Sequence, residues 1–154
     1  MKRTYKLGDA FPYESFVQSA IEHHFHAAGF EIDVSGYVDL LCVHSVTREC
    51  WHIEAKGKTA DPGLDFRTCL GQLVQSIRSS ETRYGIALPN IPEYAALVAK
   101  VSPWVVERLG LHWLFVSADG SVNVVRPGND PTPNLSLNPD ASPAALTRRP
   151  LGAG

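Results

Sequence analysis

Two nearly apolar stretches, residues 37–44 and 49–56, stand four residues apart and carry charged side chains where a buried strand seldom tolerates them. Residues 45–48 between them read as a turn, so the two stretches are predicted to form an antiparallel strand pair. If His44 faces Glu49 across that turn, the register brings Asp39 directly opposite Glu54. Side chains alternate along a strand, so Lys56 shares the face of Glu54, and directly opposed Cβ atoms lie about 4.5–5.5 Å apart. Two carboxylates and an ammonium therefore converge. Like charges opposed inside an apolar hairpin are destabilising unless a cation or a proton lies between them, and a bound divalent metal resolves the conflict most simply.

Oxygen donors of this kind suit Mg2+ or, as a substitute, Mn2+, which are commonly held by one or two carboxylates together with a substrate phosphate. Such an ion polarises a phosphodiester and activates the attacking water, while a neighbouring lysine orients that water or neutralises developing charge. On this reading Asp39 and Glu54 are metal ligands and Lys56 is the orienting or charge-stabilising group.

The rest of the chain supplies a frame of alternating helices and strands. Pro12 suits a first helical turn, and Tyr13, Phe16, Val17, Ala20, Ile21, His24 and Ala28 follow at helical spacing up to Gly29. Residues 30–33 read as a short strand and Ser35-Gly36 as a turn. After a polar loop over residues 57–63, Phe66, Leu70, Leu73, Val74 and Ile77 predict a helix over 64–79. A strand over 84–88 ended by Pro89, helices over 93–101 and 104–109, and a hairpin over 112–125 around Asp119-Gly120 complete the order. That order predicts an α/β fold, a mixed central sheet flanked by helices. From Pro127 onward stand six of the eleven prolines, among Asn, Asp, Ser and Gly, with no periodicity. The expected division is a domain over residues 1–126 and a disordered tail over 127–154.

Two further residues are candidates for the site. Glu14 falls in the first turn of the first helix, on the line of Val17, Ile21 and Phe25 that should face the sheet, where the helix dipole favours a carboxylate. A carboxylate there is also common for capping alone. Gln72, on the flank of the second helix, is placed to hold a water or phosphate oxygen, or merely faces solvent. The 154 residues carry a formal net charge of -2, so no overall cationic field gathers a polyanion. Contact with nucleic acid must rest on a local patch, for which Lys58, Arg67 and Arg78 are the candidates, joined by Lys2, Arg3 and Lys6 if the leader folds over.

Other clusters carry less. Glu22, His23 and His26 have zinc-like spacing but no further ligand pair, His52 shares the face of Glu54, and Cys69 has no evident base partner. Trp51, Trp104 and Trp113 read as residues of the core or its edges. Cys42, Cys50 and Cys69 form no C-x-x-C pair, which with the lack of a signal peptide or a membrane-length apolar run predicts a soluble, cytoplasmic protein with no membrane partner.

Val38-Asp39, Glu54-Ala55-Lys56, Tyr13-Glu14 and Gly71-Gln72-Leu73 together resemble the motifs of the PD-(D/E)xK nuclease superfamily, with Val38 in place of the eponymous proline. The resemblance covers roughly residues 12–88. It implies a restriction-endonuclease-like core with an antiparallel meander, Mg2+ held by Asp39, Glu54 and the backbone carbonyl of Ala55, Lys56 assisting the nucleophile, and Glu14 and Gln72 as accessory groups. The expectation is a Mg2+-dependent nuclease with DNA ahead of RNA as substrate, and a homodimer if both strands are cut. The alternatives are a catalytically silent domain that binds nucleic acid or a partner protein, and an enzyme acting on a small phosphodiester.

Overall fold

The computed structural model describes residues 10–33 and 39–131, with Asp39 described by its backbone alone. The leader Lys2, Arg3 and Lys6, the Ser35-Gly36 turn, Tyr37-Val38 and the tail from residue 132 lie outside the described residues. Helix α1 spans Glu14–Ala27 and is followed by strands β1 (Phe30–Asp33), β2 (Asp39–His44) and β3 (Cys50–Ala55). Helix α2 (Pro62–Ser76) leads to β4 (Thr82–Pro89), then α3 (Pro92–Ala99), α4 (Pro103–Leu109), β5 (Leu111–Val116) and β6 (Val122–Val125).

All six strands form one sheet in sequence order. β1, β2 and β3 are antiparallel neighbours, β3, β4 and β5 run parallel, and β6 turns back against β5. The structure is thus α/β, a mixed sheet containing an antiparallel meander and flanked by helices. The expected strand pair has the expected register: Asp39 is the Cα partner of Glu54, and Cys42 of Trp51. At the turn, His44 N donates to the Glu49 carbonyl at 2.8 Å and Arg48 N to the His44 carbonyl at 3.1 Å.

Alternation along the strands sorts the apolar side chains into two cores. On one face α1 packs Val17, Ile21 and Phe25 against Leu40, Cys42, Trp51, Ile53, Ala87 and Leu114. On the other, Phe66, Cys69 and Leu73 of α2 and Tyr94, Ala95 and Val98 of α3 cover Tyr84, Ile86, Leu88, Trp113 and Phe115. Gly85 lies on the α1 face, where a Cβ would come within 2.5 Å of Leu114 Cδ1.

Helix α2 begins two residues before its predicted start. Asp61 and Pro62, at the end of the expected polar loop, are a cap and first helical residue: the Asp61 carboxylate accepts from Leu64 N at 3.0 Å, and Pro62 has no donor to lose there. Gly128, Asn129, Asp130 and Pro131 line a cavity of about 190 Å3 with Val98, Val106 and Trp113. No helix among the described residues is long and apolar enough to cross a membrane.

Candidate active site at the end of β3

Glu54 is 2% exposed, a carboxylate in the protein interior. On β3 it lies between Asp39 of β2 and Ile86 of β4 in the ladders. Trp51, Ile53 and Ala55 turn to the α1 core, so alternation puts Glu54, with His52, on the α2 face. Ala55 is paired with Ala87. Lys56 lies just beyond the strand, its backbone N donating to the Ala87 carbonyl at 3.0 Å.

The start of α1 is fastened to this strand end. A Cβ at Gly57 would stand 2.0 Å from Glu14 N, so only glycine permits the approach, and Lys58 N donates to the Pro12 carbonyl at 2.9 Å. That clamp brings Glu14 to Lys56, with Oε1 3.9 Å from Nζ. At this length and with the glutamate side chain 56% exposed, the pair contributes little stability by itself.

Tyr94 is a member of the site that the sequence reading missed. From inside the α2 core its hydroxyl donates to the Gly57 carbonyl at 2.6 Å. Burial, and then the negative fields of Asp65, Cys69 and Glu14, push the phenol up to about 12, so it remains a donor at neutral pH. Asp65 in turn accepts a hydrogen bond from Thr59 Oγ1. The 57–65 loop is therefore held from both sides. No spacing rule connects position 94 with position 57; only the order of the sheet does.

The other candidates separate. Gln72 is exposed, off the buried stripe of Phe66, Cys69 and Leu73. Lys58 pairs with Glu93 at 3.7 Å, and Arg67 is exposed in the first turns of α2, beside Gly63. Arg78 lies apart from Lys58 and Arg67. Its guanidinium donates to the Gln75 and Ile77 carbonyls past the far end of α2, and the strand that follows starts beside Cys50 rather than beside Ala55. A crossover helix carries the chain back along the sheet, so residues at its two ends cannot share a patch.

His52 is half-buried, with its ring centroid 5.6 Å from that of Tyr84. His23 and His26 are exposed, while Glu22 accepts from Gln18 at 3.1 Å. Cys42, Cys50 and Cys69 are in no disulfide, and burial first, then Cys50 and Glu22, pushes Cys42 up to about 12. Trp51 and Trp113 are core residues, whereas Trp104 is 65% exposed. Leaving Asp39 aside, no three His, Cys, Asp or Glu side chains gather among the described residues. Comparison of the chain with family models, with curated proteins and with solved structures finds no significant match.

The donor set suits a hard divalent cation. Two carboxylate residues at opposed ladder positions, one of them buried, and a main-chain carbonyl are all oxygen donors, which Mg2+ and Mn2+ accept and soft metals do not favour.

Proposed function

We propose that this chain is a metal-dependent nuclease with a restriction-endonuclease-like core of the PD-(D/E)xK kind, hydrolysing phosphodiester bonds in DNA with Mg2+ or Mn2+. The observation that carries this reading is the pairing of Asp39 with a buried Glu54 beside Lys56 and Glu14. Asp39, Glu54 and the Ala55 carbonyl would hold the ion, which supplies charge neutralisation and a more acidic water. Lys56 holds and orients the attacking water and offsets charge on the phosphorane oxygens. Glu14, within reach of Lys56 Nζ, fixes the direction of that ammonium and accepts a proton from the water. Tyr94 keeps the Gly57 carbonyl, and with it the backbone following Lys56, in one place. Lys58 and Arg67 contact flanking phosphates. Three cysteines outside any disulfide fit a reducing, cytoplasmic setting, and cutting both strands calls for a homodimer.

Supercoiled, linear and single-stranded DNA and RNA, each incubated with Mg2+, Mn2+ or chelator, provide the test. Cleavage of DNA polymers that stops in chelator supports the proposal. Binding without turnover would instead mark a silent domain, and turnover of mononucleotide diesters alone a small-substrate enzyme.

A further inference from the structure

On the face of the sheet that carries α1, towards the opposite end of β3 from Lys56, a cleft of about 310 Å3 opens. It brings together His24 of α1, Arg83 near the start of β4, His112 of β5 and Arg126 just past β6, with Trp51 and Glu49 on the β3 side. Its volume is at the lower end of the range for small-ligand sites.

The charges in this lining are unbalanced. Among the described residues Glu49 is the only carboxylate there, and its Oε1 already accepts from Trp51 Nε1 at 2.9 Å and faces Arg83 Nη1 at 3.1 Å. Arg83 is further fixed over the Trp51 ring, its guanidinium carbon 5.6 Å from the centroid. Arg126 has no ion pair among the described residues. His112 is 7% exposed, with Nδ1 held on the Tyr84 carbonyl at 3.2 Å, and its ring lies 4.6 Å from that of Trp51.

We propose that this cleft binds a phosphomonoester group, seated between Arg83 and Arg126 with the imidazoles of His112 and His24 as further donors. Nitrogen groups approaching from four separate elements suit a tetrahedral oxyanion, whose oxygens accept from several directions, and guanidinium forks match phosphate geometry. The remaining volume accommodates part of the group that bears the phosphate.

Burial lowers the titration of both histidines, and for His112 the charges of Arg83 and Arg126 lower it further against the hydrogen bonds to the Tyr84 and Gly110 backbone. An incoming dianion offsets those guanidiniums and favours the imidazolium, so an occupied cleft raises the titration of both histidines above that of the empty one. The site is separate from Glu54 and stands whether or not the chain is a nuclease.

The test is calorimetric titration of the full chain in chelator with inorganic phosphate, adenosine 5′-monophosphate and adenosine. An oligonucleotide with and without a 5′-phosphate is titrated alongside. Phosphate and the monophosphate should bind while adenosine does not. Arg126→Ala should weaken binding by about tenfold or more, as removal of one charge-assisted hydrogen bond implies. Arg126 is exposed, so the variant should melt like the parent, and Glu54→Gln should bind phosphate as the parent does. With phosphate and the monophosphate both bound, a larger gain for the phosphorylated oligonucleotide than for the mononucleotide would identify a strand end as the source, and the reverse order a small molecule. Absence of phosphate binding, equal binding of adenosine, or an unchanged affinity in Arg126→Ala would overturn the proposal.

Discussion

A carboxylate as buried as Glu54 carries a desolvation cost, and the ladder sets a second acid, Asp39, opposite it. If the pair exists to hold a cation, the metal-free protein carries that repulsion as a penalty of function. Glu54→Gln should then melt at or above the parent temperature in chelator and gain nothing from Mn2+. The parent should gain about 1.4 kcal/mol at ten times the metal dissociation constant. If Glu54 served only in an ion pair, Glu54→Gln would lose stability in chelator and neither protein would respond to the metal.

The buried histidines make stability depend on pH. Burial holds His24 and His112 below the ordinary value near 6.5, so between that value and their folded values the unfolded chain binds protons that the folded chain refuses. Stability is therefore full above about pH 6.5 and falls as pH drops below it. In phosphate-free buffer, melting temperatures measured from pH 7.5 to pH 5 should show this loss, and His112→Gln should show a shallower one. Identical slopes would contradict it.

Among the elements, the end of β3 and the start of α1 act as a unit because of Gly57. Gly57→Ala forces a Cβ into the Glu14 backbone and should destabilise the protein by about 1–3 kcal/mol or more, as overpacking does. Tyr94→Phe removes the donor from a buried carbonyl, which costs about 1–3 kcal/mol, and should lower the turnover number more than it raises KM. An unaltered turnover number in a folded Tyr94→Phe protein would remove Tyr94 from the site.

The strand pair carrying Asp39 and Glu54 was legible in the sequence because a four-residue turn between two apolar runs leaves one register that buries both. Helix α1 was legible from the recurrence of Val17, Ile21 and Phe25. Tyr94 was not, since its hydrogen bond reaches from residue 94 back to residue 57 across a crossover helix and a strand. Arg78 looked close to Lys56 in composition alone. Its true position depends on α2 running back along the sheet, which periodicity does not encode.

Across the whole molecule, β3, β4 and β5 are parallel, and their carboxyl ends meet the starts of α1, α2 and α3. Lys56, Lys58 and Arg67 lie there, whereas Arg78, Arg83, Arg108 and Arg126 lie towards the other end, where the first three border a cavity of about 620 Å3. For DNA binding measured in chelator, Lys58→Ala and Arg67→Ala should each weaken affinity and make the salt dependence shallower, by about 0.9 in slope for each phosphate left without its cation. Arg78→Ala should change neither; a loss equal to that of Lys58→Ala would place the substrate at the wrong end of the sheet.

On the proposed function, Asp39, Glu54 and Lys56 form one metal-dependent reaction centre. Single-turnover cleavage of linear duplex DNA in saturating Mn2+ tests it most directly, comparing the parent with Asp39→Asn, Glu54→Ala and Lys56→Ala, each shown by melting to be folded. The rate should fall by about a hundredfold or more in each variant, as removal of a metal ligand or a charge stabiliser implies. A folded Glu54→Ala protein that cleaves at the parent rate would contradict the account.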